Sequence, residues 1–151
     1  MRELEYPFDS EYLYHKKKSI RKQLLAQLDE KSCLHKKIAI LGGSTTRDIR
    51  LMLELFLLQY GIKPEFYESE FDQYYQDAMF PNPALEAFAP DVVYLHTTIR
   101  NIADFPKISD SAETVEQLLM QEYRRYEQMW DRLAAVYHCV IIQNNMEYPY
   151  Y

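Results

Sequence analysis

The sequence predicts an α/β fold, in which helices cover both faces of a parallel sheet and a further helix precedes the first strand. Short apolar runs alternate with segments of helical periodicity, and this alternation is typical of parallel sheets. The first apolar run ends in Gly42, Gly43 and Ser44, where two of the chain's three glycines lie. A strand, a tight turn and a helix N-terminus follow one another at the carboxyl edge of such sheets. The length of 151 residues is sufficient for one domain with its own core.

The first half of the chain contains two predicted helices and two predicted strands. Residues 1–12 are polar and aromatic, which indicates an extended arm. Apolar residues then recur at an imperfect helical spacing, and short apolar or aromatic runs follow. The predicted elements are a helix over residues 11–28, a strand over 37–41, a helix from 45 or 46 to 60 and a strand over 64–68.

The second of these helices has recognisable ends. Either Thr45 or Thr46 can cap its N-terminus, and with Thr45 as the N-cap Asp48 falls at the position of a capping box. Gly61 is typical of the residue that follows a helix. Apolar residues cover most of the circumference, which predicts that this helix is deeply packed or forms an interface.

The second half of the chain is predicted to contain two more strands and one long helix. Residues 71–79 are either a loop or a short helix, and Pro81 and Pro83 break the chain before a helical turn at 84–88. Residues 97–110 are too polar and proline-broken for regular structure. The remaining elements are a strand over 91–96, a helix over 111–137 for which Ser109, Asp110 and Ser111 compete as caps, and a strand over 140–143.

The composition excludes several classes of function. A formal net charge of −6 argues against general nucleic-acid binding, because neutralising phosphates requires clustered cations. The cysteines, Cys33 and Cys139, and the four histidines have no spacing typical of metal ligands, so we expect no metal and no cofactor. No apolar run is long enough to span a membrane and no signal peptide precedes the domain, so we expect a cytoplasmic protein.

Polar side chains follow three of the predicted strands. Ser44 and Thr45 follow the first strand, Arg100 and Asn101 follow the third, and Asn144 follows the fourth. Because the carboxyl ends of parallel strands meet at one edge of a sheet, we expect these side chains to share a site. Hydroxyl, guanidinium and carboxamide groups there could bind a carboxylate, acyl or phosphate group. The alternative, that Ser44 and Thr45 only cap a helix, is open because Ser and Thr are frequent N-caps.

Seven segments together carry a family resemblance: YPFD at 6–9, KKKSIR at 16–21, ILGGSTT at 40–46, ELFLL at 54–58, YGIKPEFY at 60–67, HTT with RNI between 96 and 102, and IIQNN at 141–145. In these segments the chain resembles the N-terminal domain of FkbH-like proteins, in which that domain is joined to a phosphatase domain of the HAD superfamily, subfamily IIIC. The resemblance covers essentially the whole chain.

The resemblance implies a three-layer flavodoxin-like fold similar to that of SGNH hydrolases. It places this domain at residues 37–151, after an N-terminal arm and helix at 1–36. SGNH enzymes carry a C-terminal Asp-x-x-His block with the catalytic base, and this chain stops before one, so we expect the domain to be truncated. A parallel sheet normally has a helix after its last strand. That cover would come from the N-terminal helix, from a partner or from residues absent from this chain.

The resemblance also implies a role for each candidate site residue. Ser44 occupies the place of the nucleophile and would act as nucleophile or as an oxyanion-site residue. The substrate would be bound by Gly43, Thr45, Arg100, Asn101 and Asn144. The usual Gly-x-Asn-Asp sequence around the oxyanion-hole asparagine and the glycine after the second strand have no clear match. Without a base a serine hydroxyl is a poor nucleophile, and His96 is the nearest of the four histidines to the predicted site.

Two functions from different classes follow. The first is acyl transfer or hydrolysis of a glyceryl-type group together with a HAD-type phosphatase domain, this fragment being inactive alone. The second is a non-catalytic recognition domain that docks an acyl carrier protein or the phosphatase domain. Its docking surface would be an exposed sheet face with the tyrosine-rich segments 66–75 and 148–151. A third hypothesis is a standalone esterase with His96 as its base.

Overall fold

A computed structural model describes residues 1–147 and confirms the predicted α/β fold class. The strands are β1 (Leu34–Gly42), β2 (Ile62–Glu68), β3 (Val92–His96) and β4 (Val140–Gln143). The helices are α1 (Ser10–Gln27), α2 (Arg47–Gln59), α3 (Tyr74–Met79), α4 (Pro83–Phe88) and α5 (Ala112–Tyr137), with 3-10 helices at Arg2–Leu4 and Ile99–Asn101. All four strands are parallel, in the order β2-β1-β3-β4, and helices flank the sheet as in flavodoxin-like three-layer folds. None of the helices within residues 1–147 is long and apolar enough to cross a membrane.

β1 is longer than the sequence predicts. It begins at Leu34, and its first three residues pair with the first three residues of β2. The pairing with β3 begins only at Ile38, from which point β1 is buried. His35 and Lys36 hide the true start of the strand because this end of β1 lies at the amino edge of the sheet, where polar side chains reach solvent.

One side of the sheet, which we call the covered face, packs against α3, α4 and α5. Ala39, Leu41, Val93 and Leu95 point to this side and are fully buried. Their partners in the core are Tyr74 and Ala78 from α3, Leu85 from α4, and Tyr126, Met129 and Leu133 from α5. The main core of the domain therefore lies between the sheet and these three helices.

On the other side of the sheet, α2 packs against β2 and α1 packs against α2. Leu55 and Leu58 of α2 are buried against apolar residues of α1, namely Leu13, Ile20 and Leu24. Arg21 Nε of α1 donates to Oε1 of the buried Glu54 at 2.8 Å, so the carboxylate inside this layer is paired. The N-terminal helix thus covers α2 and does not lie over the sheet.

The remaining part of this side, formed by β3 and β4, is called here the open face. Val140 and Ile142 are 61% and 51% exposed on it. An apolar groove of about 920 Å³ lies between the open face and α2, lined by Ile38, Ile49, Leu53, Leu57, Val92, Tyr94 and Ile142 among others. Strands about 4.8 Å apart and helices about 10 Å wide mean that four strands need two helices on each face. On the side of the sheet that includes the open face, α2 is the only helix within residues 1–147 that packs against the strands.

The helix ends are determined partly by contacts distant in sequence. Thr46 is the N-cap of α2, but its hydroxyl donates to Glu68 Oε2 at 3.0 Å instead of capping the helix, and the capping box with Asp48 is not formed. Ser111 is the N-cap of α5 and accepts from the Thr114 N–H. Gly61, with φ of +71°, follows α2 as predicted.

Candidate functional site

The carboxyl ends of β1 and β3 form a cleft at the point where the strand order reverses. The chain leaves β1 toward β2 on one side and leaves β3 toward β4 on the other. Such a switch point is where α/β sheets bind ligands. The cleft has a volume of about 500 Å³ and is lined by Gly43, Ser44, Thr45, Phe71, Asp72, Thr98, Arg100 and Asn101. The fold therefore brings together all of the predicted site residues except Asn144.

Gly43 is held on both sides by the loop after β3. Its N–H donates to the carbonyl oxygen of His96 at 2.9 Å, and its own carbonyl oxygen accepts from Asn101 Nδ2 at 3.0 Å. A Cβ atom on Gly43 would collide with the Asn101 side-chain amide. Glycine is thus required for this close approach, and the Gly43 N–H is already bonded and not available to a ligand.

The Asn101 side chain uses all of its donors within the protein. Nδ2 donates to the Gly43 carbonyl oxygen and to Asp72 Oδ1, at 3.0 and 3.2 Å. Oδ1 accepts from the N–H and the hydroxyl of Thr98, at 2.9 and 3.2 Å. A carboxamide has two N–H donors and both have partners here. In this arrangement Asn101 fixes the loop against the first turn and offers no free donor to an oxyanion.

Residues that sequence reasoning missed hold the Asn101 backbone. Arg125 Nη2 of α5 donates to the Asn101 carbonyl oxygen at 2.6 Å, and Arg125 Nη1 donates to the Tyr74 hydroxyl at 2.9 Å. Glu122, one turn earlier on α5, pairs with the same guanidinium. The spacing of Glu122 and Arg125 indicates an ion pair on a helix, but nothing local indicates that the pair supports a site.

Asp72 is a further residue that nothing in the sequence singles out. It follows β2 with φ of +59°, a conformation that non-glycine residues other than Asn and Asp rarely adopt. The αL residue that follows β2 is therefore an aspartate. Its carboxylate and the Arg100 guanidinium line the same cleft. The two opposite charges make the cleft polar rather than strongly cationic, and the neighbouring Phe71 ring is 72% exposed at its rim.

Ser44 lies half-buried in the cleft, and within residues 1–147 its hydroxyl makes no hydrogen bond. Because Thr46 is the N-cap of α2, Ser44 and Thr45 are not its caps. None of the residues lining the cleft, among those that the structure describes, is a histidine. The cleft can therefore donate hydrogen bonds to a ligand oxygen, but it lacks an imidazole that could take the Ser44 proton.

His96 lies at the end of β3 and is engaged elsewhere. Its Nδ1 is 3.2 Å from the Tyr94 hydroxyl, and the two rings are stacked at a tilt on the same side of the strand. Burial lowers the pKa of His96, an effect opposed by Asn144 and Glu147. The imidazole is therefore mainly neutral at pH 7, but it does not line the Ser44 cleft.

Asn144, which directly follows β4, supports the loop after β3 through hydrogen bonds to its backbone. Its Oδ1 accepts from the Thr97 N–H at 3.0 Å and its Nδ2 donates to the Thr97 carbonyl oxygen at 2.8 Å. Thr97 is fully buried. Asn144 lines the apolar groove beside the open face, not the cleft, so its geometry is that of a backbone clamp.

The strand order and the polar cleft define a flavodoxin-like α/β domain with a polar cleft at its switch point. A similar fold occurs in the crystal structure of the N-terminal part of the protein BF1531 from Bacteroides fragilis, described as containing a phosphatase domain complexed with Mg. The TM-score is 0.67 at 15% sequence identity, and the match covers 89% of this chain and 34% of that one. This chain thus spans about a third of the solved chain, and the likeness is one of fold. No protein-family model and no curated protein sequence matches the chain.

Proposed function

We propose that this chain is a recognition domain that operates beside a phosphatase domain, and that the Ser44 cleft binds the carbonyl or carboxylate end of a small acyl group. The observation that carries the proposal is the Ser44 hydroxyl, which lies in a switch-point cleft without a histidine among residues 1–147. The FkbH-like and SGNH-like resemblance supplies the ligand class, a glyceryl-type acyl group. The Bacteroides fragilis protein supplies an example of the fold in a chain that contains a phosphatase domain.

The lining of the cleft suits such a ligand. The hydroxyls of Ser44 and Thr45 are donors for a carbonyl oxygen, and the exposed Arg100 guanidinium is a partner for a carboxylate. The Asp72 carboxylate disfavours a ligand of higher negative charge and is an acceptor for a ligand hydroxyl. A small hydroxy acid or its thioester therefore fits the cleft better than a free phosphate.

The experiment is a titration of the isotopically labelled chain with sodium glycerate, followed by amide NMR shifts. We expect shifts in the turn 42–46 and the loop 97–101, with an affinity that Ser44→Ala weakens at least threefold. Ser109→Ala, at an exposed serine outside the cleft, is the matched control and should bind as the wild type. Shifts that are absent, or equal in both variants, would exclude Ser44 from the binding site.

Catalysis is tested separately with p-nitrophenyl acetate. Because no histidine lines the cleft among residues 1–147, the wild type and Ser44→Ala should release nitrophenol at the same rate, without a burst. A burst that Ser44→Ala abolishes would contradict the non-catalytic proposal and would favour acyl transfer through Ser44.

A second candidate function, docking of the phosphatase domain, is favoured by the open face. Its apolar groove carries the half-buried Leu53 and Leu57 of α2 opposite the exposed Ile142 of β4. The tyrosine-rich segment 66–75 contributes little, because Tyr74 is buried and Tyr67 packs against the covered-face core. The other tyrosine-rich segment, 148–151, lies outside the described residues. An amphipathic helix of a phosphatase domain, rather than a carrier protein, matches a groove with so few charged groups.

The docking test uses the phosphatase part of the Bacteroides fragilis protein in a calorimetric titration. Ile142→Asp should abolish binding, because a charge would enter a desolvated groove. Leu119→Asp, which places the same charge at an exposed apolar position of α5, is the control and should leave binding unchanged. Equal binding by both variants would move the docking surface away from the open face.

A further inference from the structure

We propose that Glu30, Cys33 and His35 form a site for one divalent transition-metal ion of the zinc type, at the amino edge of the sheet. The three residues come from the loop after α1 and from the start of β1. Each offers one ligand atom, and the three atoms lie within 4.8 Å of one another. Thiolate, imidazole and carboxylate are the ligand types that zinc uses in proteins. From the sequence no metal was expected, because the cysteines and histidines have no spacing typical of metal ligands.

The distances within the cluster are close to those of a tetrahedral site. Cys33 Sγ lies 3.4 Å from His35 Nε2, and Glu30 Oε2 lies 4.0 Å from the sulfur and 3.9 Å from the same nitrogen. Zinc bonds of about 2.0–2.3 Å at tetrahedral angles place neighbouring ligand atoms of these types about 3.3–3.6 Å apart. The sulfur and nitrogen already meet this requirement, and a displacement of the Glu30 carboxylate by about half an ångström would complete it.

Local backbone structure presents these side chains together. The Asp29 carbonyl oxygen accepts from the Cys33 N–H at 2.9 Å, and the Asp29 carboxylate accepts from the Lys31 N–H and the Ser32 hydroxyl. This turn brings Glu30 back beside Cys33. His35 is fixed by the pairing of β1 with β2, where it lies opposite Lys63. Two of the three ligands are therefore held by a turn and the third by the sheet.

Lys63 is the cation that the metal has to compete with. Its Nζ binds Oε1 of Glu30, so the other carboxylate oxygen, Oε2, is the one that faces the sulfur and the imidazole. The ion pair leaves one oxygen for the metal and orients it. With three protein ligands and exposed surroundings, the fourth position belongs to water, as in zinc sites that keep an open coordination position.

The proposed site does not depend on the function proposed for the cleft. His35 and Gly42 are seven residues apart on β1, which is about 23 Å along a strand. The two sites lie at opposite edges of the sheet. Failure of either proposal therefore leaves the other intact.

The experiment adds CoCl2 to the full chain after removal of bound metal with EDTA, and then displaces cobalt with ZnCl2. We expect one cobalt ion per chain and a near-ultraviolet charge-transfer band from thiolate coordination. Cys33→Ser should abolish the band, and His35→Ala and Glu30→Gln should each weaken zinc binding at least tenfold. Cys139→Ser removes the other thiol and should leave the band unchanged. Glu30 and His35 are exposed and Cys33 is partly exposed, and circular dichroism is used to check that the variants fold.

The results that overturn the proposal are equally specific. Absence of the charge-transfer band, or its persistence in Cys33→Ser, would exclude Cys33 as a ligand and with it the site. Zinc binding that is weakened by Cys33→Ser but not by His35→Ala would reduce the cluster to a reactive surface thiol.

Discussion

The two faces of the sheet carry similar apolar residues, but they differ in what lies over them. On the covered face Val93 and Leu95 have no exposed surface, whereas Ile142 of the open face is half exposed. Apolar residues on both sides of a strand are typical of parallel sheets, which are normally covered twice. The strand sequences therefore show that both faces are suited to burial, and only the positions of the helices decide which one is buried within this chain.

Truncating a buried side chain of the covered face should cause the largest loss of stability. Leu133 of α5 is fully buried there, so Leu133→Ala should lower the free energy of unfolding by about 2–5 kcal/mol, through lost burial and the cavity that remains. Urea unfolding followed by circular dichroism measures this loss. A change below about 1 kcal/mol would mean that the α5 layer contributes little to stability.

The same truncation on the open face should have a much smaller effect. Ile142 is already 51% exposed, so Ile142→Ala should cost less than about 1 kcal/mol in the same assay. A loss as large as that of Leu133→Ala would show that something covers the open face in solution. Repeating the measurement over a range of protein concentrations would identify a second copy of the chain as that cover.

The polar end of the open face should give a pH effect. Burial lowers the pKa of His96 in the folded chain below its usual 6.5, so the unfolded chain binds the proton more readily. Stability should fall as the pH drops below about 6.5 and toward the folded pKa, and His96→Gln should remove this part of the dependence. Imidazole NMR titration gives the folded pKa directly, and a value above 6.5 would reverse the sign.

The smallest effect concerns Cys139, which packs against the covered-face core. Burial raises the pKa of its thiol, so less thiolate is present at neutral pH than in an unfolded chain. In a Cys33→Ser background, alkylation by iodoacetamide should therefore be slower in the folded than in the urea-unfolded chain at pH 8. Equal rates would indicate that this end of the covered face opens readily.

Much of the fold can be predicted from the hydrophobic periodicity of the sequence and from the residues that end its helices and strands. The alternation of apolar runs and helical segments predicts the parallel sheet, and Gly61 predicts the end of α2. The start of β1 was missed because His35 and Lys36 are polar, and their strand pairing is with residues almost thirty positions away. The hydrogen bond of the Thr46 hydroxyl could not be predicted for the same reason, since its acceptor Glu68 lies on β2.

The site was predicted less completely than the fold. Ser44, Thr45, Arg100 and Asn101 meet because parallel strands end at one edge, and that argument needs only the order of elements. Sequence reasoning could not find Asp72, whose role depends on an αL conformation, or the support that Arg125 gives from a distant helix. Binding of an acyl group by the side chains of the Ser44 cleft stays a prediction.

The hydrogen bonds of Asn144 connect two surfaces that otherwise lie apart. The Asn144 side chain lines the apolar groove and hydrogen-bonds both the N–H and the carbonyl oxygen of Thr97. Thr97 directly precedes Thr98, which lines the cleft. A partner bound in the groove would contact the Asn144 side-chain amide, which also positions the loop after β3 at the cleft. If binding in the groove displaced that amide, the affinity of the cleft for its ligand would change, and by thermodynamic linkage the ligand would change the affinity for the partner by the same factor.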